Sequence, residues 1–447
     1  MTFLPSTRLL WLVFAVVILA IPAGPMPGLM PVCFAALAIV ALLALADLAL
    51  SLRSVRMPVV SAPEVVRFSK DRPGAIPVRF LNETGRAMEL RFALGLPKVF
   101  AAKDNELWVR LPAGADKSRA QIEWACTPSR RGRFANAALA CCEAGSRLGL
   151  WRLRARARLE CELRVYPNLF SERRQLAAVF LDRGQFGAKL QRTVGRGREF
   201  EKLREYLPGD GFDEIHWKAT AKRGHPVTKV FQAERTQEIY VVIDMSRLSG
   251  RLVTHEGVTQ TVLERYLTAA LVLFLAAQRQ GDRFGVIAYD DRVRVSLRAG
   301  NGAAHYAACR EALHTLQPGG VTPDMAEVAR HIRLRQRQRA LLFFLTDLGD
   351  PVLAEDFARH APLLARQHLM LVSQLRGPGV EPLFASRRAD GRGDLYARLA
   401  GHMRWEETQA LIRALKQVNI TAAVLDDDAF VANLVTQYLQ VKRRQLL

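Results

Sequence analysis

The side chains that could move protons in this chain are Asp210, Asp213 and His216, which fall close together, and Asp244, which ends an apolar run further on. Carboxylates beside an imidazole are the usual equipment of general acid–base hydrolysis. A hydrolase with a site between domains, using Asp210, His216 and Asp244, is therefore one reading. No nucleophile with a base and an orienting group accompanies them, and their spacing follows no defined pattern. The same stretch is rich in cations: Arg204, Lys218, Lys222 and Arg223 would suit a docking surface or an anion site, with Trp217 as an apolar anchor beside Lys218. A mechanical reading competes with it, in which Glu201, Arg204 and Glu205 share one side of a short helix ended by Pro208-Gly209 and form an ion-pair staple. The six cysteines include the adjacent pair Cys141-Cys142 but neither CxxC nor a Cys/His metal spacing, so reduced, buried thiols are expected.

These residues must be held by folded elements, and the N-terminus shows where those elements are anchored. From Leu9 to Ala46 no side chain is charged, a run too long for one straight helix across a bilayer. Pro22, Gly24, Pro25, Pro27 and Gly28 break it. Residues 1–56 thus read as a transmembrane helical hairpin with spans from Leu9 to Ala23 and Leu29 to Leu50. Arg8 precedes the first span and Arg53 and Arg56 follow the second, with no charge between, so both ends are expected on the cytoplasmic side. A cleaved signal peptide is the alternative for the first span and leaves that side unchanged. Asp47 is expected at the headgroup boundary.

A net charge of +21 raises nucleic acid, anionic lipid and acidic proteins as partners. The arginines are scattered rather than gathered into one tract, and runs such as Arg173-Arg174, Arg192 to Arg204 and Lys442-Arg443-Arg444 read equally as solvated faces. Nucleic acid is not expected, while a membrane surface is.

Residues 57–166 alternate apolar and polar positions in short segments, as in Met88-Glu-Leu-Arg-Phe-Ala-Leu, separated by turns such as Asn82-Glu-Thr-Gly85, which predicts a small β-sandwich. Residues 167–237 form a connector dense in charge, aromatic residues and glycine. From 238 to 447 the pattern becomes α/β. Apolar strands at Ile239–Asp244, Phe284–Tyr289, Ala340–Thr346, Leu369–Ser373 and Thr421–Leu425 alternate with amphipathic helices near Val262–Gln280, Met325–Arg333, Leu353–Ala365, Thr408–Gln417 and Ala429–Val441. Such alternation implies a mainly parallel sheet covered by helices on both faces.

Gly195-Arg-Gly-Arg-Glu-Phe-Glu-Lys-Leu-Arg-Glu-Tyr-Leu-Pro-Gly-Asp210, continued by Ile215-His-Trp-Lys-Ala-Thr-Ala-Lys222 and Val230-Phe231, resembles the bacterial DUF58 family. Thr127-Pro-Ser-Arg-Arg-Gly-Arg-Phe134, Gly149-Leu-Trp151 and Val165-Tyr-Pro167 resemble the same family's upstream β region. The resemblance implies an inner-membrane protein with a von Willebrand factor A-like domain, often linked with MoxR-type AAA+ ATPases. In von Willebrand A domains a divalent cation can be held by a D-x-S-x-S loop, a threonine and an aspartate. The matching positions here are Asp244, Ser246, Thr322 and Asp347, but Leu248 stands where the second serine belongs. Leucine cannot ligate, and Arg247 beside it could supply the positive charge by pairing with Asp244 or Asp347. The expectation is no cofactor beyond weak Mg²⁺ binding at a degenerate site. The leading functional expectation is a membrane-anchored, non-enzymatic protein-binding scaffold or adaptor, working with an AAA+ ATPase in assembly or maturation of other proteins. Its partner-facing residues would be Asp244, Ser246, Arg247, Thr322 and Asp347, with Arg204, Asp210, Trp217 and Lys218 of the connector.

Overall fold

Two apolar helices open the chain, α1 (Thr7–Ala20) and α2 (Met30–Ser54). A computed structural model describes residues 2–21, 29–84, 87–113, 118–170, 194–207, 212, 215–232, 237–255, 258–385 and 392–444. The Pro22–Gly28 break and the acids Asp210 and Asp213 lie outside these. The described chain divides into two units, Met1–Asn168 and Leu169–Leu447.

In the first unit α1 and α2 lie against each other in opposite directions: Leu9 packs with Ala44 at one end, and the Cys33 thiol lies 3.7 Å from the Leu19 carbonyl at the other. α2 is long and apolar enough to cross a membrane, while α1 is shorter. A strand β1 (Thr2–Pro5) precedes α1. Eleven more follow α2: β2 (Val59–Ser61), β3 (Val65–Ser69), β4 (Gly74–Asn82), β5 (Met88–Gly95), β6 (Phe100–Ala102), β7 (Leu107–Leu111), β8 (Ser118–Pro128), β9 (Gly132–Ala135), β10 (Leu139–Gly145), β11 (Trp151–Arg158) and β12 (Glu162–Tyr166). They form sheets in the orders β1-β11-β10-β5-β7, β2-β4-β8-β6 and β3-β12-β9. The first two face each other across a core in which Phe92 of β5 meets Phe80 of β4 at 5.0 Å and Trp124 of β8 at 5.5 Å, both edge to face. Alternation puts Leu90, Phe92 and Leu94 inward from one strand, and Ile76, Val78 and Phe80 from another.

Asp47 does not stand open to its surroundings. It is fully buried, because the β10–β11 turn closes over it: its Oδ2 accepts from Ser146 Oγ (2.5 Å) and Leu150 N (3.1 Å), and its Oδ1 from Leu148 N (2.9 Å) and Ser51 Oγ (3.3 Å). Trp151 Nε1 donates to the Ala44 carbonyl at 2.8 Å. α1 is tied to the same turn, since Ser6 caps it while donating from Oγ to Gly149 O (2.6 Å) and from N to Leu150 O (2.9 Å).

In the second unit β13 (Val194–Glu205) is paired antiparallel to β14 (Val227–Gln232), with the short helix α3 (Trp217–Arg223) between them. The expected short helix carrying Glu201, Arg204 and Glu205 is therefore a strand. Gly195 and Gly197 weaken a helix there, and the strand Val227–Gln232 supplies a pairing edge. Consecutive strand side chains point to opposite faces, so Arg204 and Glu205 do not form one face.

The remaining elements are β15 (Glu238–Asp244), the hairpin β16 (Leu252–His255) and β17 (Val258–Thr261), α4 (Val262–Arg279), β18 (Arg283–Tyr289), β19 (Val293–Gly300), α5 (Gly302–Leu313), α6 (Met325–Arg335), β20 (Leu341–Leu345), α7 (Pro351–Ala365), β21 (Leu369–Leu375), α8 (Arg392–Gln417), β22 (Ile420–Leu425) and α9 (Phe430–Arg443). The sheet runs β19-β18-β15-β20-β21-β22, parallel throughout except for edge strand β19. Ile239, Val241 and Ile243 pack with α4, α5 and α9, while Tyr240 and Val242 pack with α6 and α7. Buried on both faces, such strands read as continuous apolar runs. Gly285 is required beside Tyr240: a Cβ there would stand 2.4 Å from the ring.

All six cysteines are thiols, and burial pushes Cys126 up to about 11 and Cys142 and Cys309 up to about 12. Thiolate is the reactive form. At pH 8 the native chain should therefore leave these three unmodified by a disulfide reagent, and denaturant should release all of them. Rapid modification in the native state would show that those cores open readily.

Candidate functional site

β15 carries Asp244 to the carboxyl end of the parallel sheet, where the loops after β15, β18 and β20 converge. In a doubly wound sheet this is the rim at which ligands and partners are met. The Asp244 carboxylate is fully buried, and both oxygens are engaged: Oδ1 accepts from Ser246 N at 2.8 Å and Oδ2 from Thr346 Oγ1 at 2.7 Å. Burial raises its pKa, opposed by the hydrogen bonds from Ser246 and Thr346. Ser246 is also buried, with its Oγ lacking a hydrogen-bond partner among the described residues. Ser249 Oγ donates to Ser246 O at 2.7 Å and tightens the turn.

The loop between α5 and α6 lies alongside. Gly319 N donates to Met245 O (2.6 Å) and Arg247 N to Val321 O (2.9 Å), which brings exposed Thr322 to the same rim. Asp347, just past β20, accepts from Gly349 N at 3.0 Å and pairs with a guanidinium at 3.2 Å. That guanidinium belongs to Arg251. Arg247 instead reaches Asp350 at 3.2 Å and pairs with neither Asp244 nor Asp347. The reason is geometric: the turn Arg247–Gly250 points Arg247 outward to the start of α7, while Arg251, behind it, also donates to Leu375 O at 3.2 Å and so lies across the ends of β20 and β21. Burial and the nearby charges of Asp347 and Asp244 raise the phenol of Tyr266, which packs beneath.

The donors do not fit a divalent cation well. Leu248 brings a hydrocarbon where a hydroxyl is needed, Asp244 has both oxygens engaged, and Asp347 already faces a positive charge. The orphaned Ser246 hydroxyl is the single atom that points the other way. Among the described residues no group of three His, Cys, Asp or Glu side chains could hold a metal ion.

Beside the rim opens a cleft of about 1000 Å³, bordered by Leu248, Arg251, Asp347 and Asp350 and walled by α7 and α8 with Glu355, Met403, Arg404 and Glu407. Val352, at the start of α7, is 74% exposed. Sequence reasoning missed Arg251 and Thr346; Thr346, adjoining Asp347, could have been found as a hydroxyl at a strand end.

None of the described connector residues lines this cleft. His216 caps α3, its Nδ1 accepting from Ala219 N at 3.1 Å, and is thus committed to a structural hydrogen bond. Trp217 is 68% exposed on a helix with no buried residues, so it is not part of a core among the described residues. Lys218 and Lys222 lie one turn apart on exposed α3, whereas Arg204 is half-buried on β13 with Nη1 donating to Glu205 O at 3.3 Å.

Residues 202–381 match the family described as "Protein of unknown function DUF58", so that segment, running from the connector through the rim, is a DUF58 region. The chain is also similar to uncharacterized proteins of Mycobacterium tuberculosis (strain ATCC 25618 / H37Rv) and Mycobacterium bovis (strain ATCC BAA-935 / AF2122/97). Each is 26% identical over 203 residues, which cover 44% of this chain and 61% of theirs. It thus spans about three fifths of the length of these relatives. Similar solved structures include the conserved hypothetical protein BatB from Bacteroides thetaiotaomicron (14% identity, 46% of this chain and 99% of that one, TM-score 0.29). The SpRpn10 VWA domain is another (11%, 45% and 95%, TM-score 0.28), as is an aerotolerance-related membrane protein from Bacteroides fragilis NCTC 9343 (16%, 46% and 99%, TM-score 0.29).

Proposed function

We propose that this protein is a membrane-anchored scaffold or adaptor that binds another protein through the rim and its adjoining cleft. The observation that carries the reading is the open cleft of about 1000 Å³ at the strand ends, walled by apolar, acidic and basic side chains. Mixed polar and apolar lining around a fixed ion pair suits recognition of a protein segment. The apolar helices supply the anchor. In this reading both cross the inner membrane, with Arg8, Arg53 and Arg56 holding the chain ends in the cytoplasm. The partner that the DUF58 resemblance implies is a MoxR-type AAA+ ATPase. Mg²⁺ is no more than a weak ligand of Asp244, Ser246, Thr322 and Asp347.

The hydrolase reading loses support where His216 and Asp244 are committed to structural hydrogen bonds. The test is affinity capture of the full chain from gently solubilised membranes, with and without ATP. An ATPase should be recovered with wild type and reduced about tenfold or more with the charge reversal Asp350→Arg, which corresponds to about 1.4 kcal/mol. Equal recovery with both chains would remove the rim from the proposal.

A further inference from the structure

The β10–β11 turn, Ser146 to Trp151, is gripped by both apolar helices, through Asp47 and Ala44 of α2 and through Ser6 at the start of α1. On the reading that these helices span the membrane, this grip sets the turn's depth. The apolar stretch Met30–Ala46 rises about 26 Å at 1.5 Å per residue, close to the thickness of a bilayer's hydrocarbon core of about 30 Å. A turn hydrogen-bonded to Asp47 then lies at headgroup level.

The side chains around that level match the chemistry found there. Leu148 is 51% exposed at the tip, and Arg147 beside it, Arg8 at the first turn of α1, and Arg53 and Arg56 at the end of α2 are all exposed. None of these arginines has an acidic partner within 4.0 Å among the described residues. In contrast, Arg152 and Arg154 on the adjoining strand are paired with Glu143. Arg8 lies directly over the turn: a Cβ on Gly149, which sits at φ +77°, would be 3.0 Å from its Nη1. We infer that this turn and its arginines form a contact surface for anionic phospholipid headgroups, with Leu148 inserted among them and Arg8 and Arg147 meeting the phosphates. The Asp47 grip would then fix the β-sandwich against the bilayer instead of leaving it on a free tether.

The test uses the full chain, with Cys33 and Cys141 changed to alanine, in lipid nanodiscs. A nitroxide is placed at Leu148→Cys or, as a control, at Arg158→Cys. Arg158 lies at the far end of the same hairpin, roughly 20 Å away by strand rise. Relaxation by oxygen and by a water-soluble nickel chelate should place the first label among headgroups and the second in water. Native mass spectrometry should find phosphatidylglycerol retained over phosphatidylcholine, the preference falling about fivefold for each of Arg8→Gln and Arg147→Gln. A chain that alkaline carbonate extracts from membranes would defeat the spanning reading and this inference together. If the chain stays inserted while the Leu148 label is as aqueous as the control, or the two lipids are retained equally, the inference alone is overturned.

Discussion

Asp47→Leu should destabilise the first unit by about 2–4 kcal/mol, a large effect for one residue in an apolar helix. The carboxylate accepts from Ser146 Oγ, Leu148 N and Leu150 N, and leucine would leave all three without an acceptor in a covered site. Each orphaned buried donor costs about 1–3 kcal/mol. A value near the bottom of the summed range is expected, because one turn and a helix cover the group rather than a deep core. Asp47→Asn keeps one acceptor oxygen and should cost about half as much. Denaturant unfolding of the full chain in detergent, followed by tryptophan fluorescence and by proteolysis at the 146–151 turn, measures both. A Leu variant within about 0.5 kcal/mol of wild type, the usual range for inconsequential surface changes, would mean the grip is incidental.

The second large effect concerns cation affinity. Wild type should bind Mg²⁺ or Mn²⁺ weakly or not at all, and Leu248→Ser combined with Arg251→Ala should bind at least about tenfold more tightly. One change restores a hydroxyl. The other removes a guanidinium 3.2 Å from Asp347, and a like charge about 4 Å from an ion is worth about 4 kcal/mol at an effective dielectric of 20. Calorimetry of the full chain, with Asp244→Ala as the control, reads both. Tight wild-type binding abolished by Asp244→Ala would show that Leu248 and Arg251 do not close the site. An equally weak double variant would show that they are not what closes it.

How far residues alone led can be judged element by element. The strands of the second unit stood out because their positions are apolar on both faces: the run Ile239–Asp244 coincides with β15, and Phe284–Tyr289 falls within β18. Strand β19 and helix α5 were not anticipated. β19 is an edge strand with alternating exposure, and α5 buries only Cys309 and Leu313, so neither shows a strong apolar period. The connector misled for a different reason. Charged residues at helical spacing suggest a helix face, but the pairing edge that makes Val194–Glu205 a strand lies more than twenty residues later in β14. The rim was foreseen in its residues more than in its contacts. Asp244, Ser246 and Asp347 were recognisable by pattern, whereas the choice of Arg251 over Arg247 depends on which way a single turn points the two guanidinium groups. Asp47 was visible as an anomaly in an apolar run. Its role depends on a turn about a hundred residues away, which no local pattern records.

Photo-crosslinking in living cells tests the rim most directly as the partner-binding face. A benzophenone amino acid is placed at Val352, exposed at the start of α7 between the cleft-lining residues Pro351 and Ala354, or at Lys218 on the connector helix α3. The account predicts a discrete protein adduct from Val352, lost when Asp350→Arg is added, and none of comparable yield from Lys218. A discrete adduct from Lys218 with none from Val352 would contradict it and move the binding face to the connector.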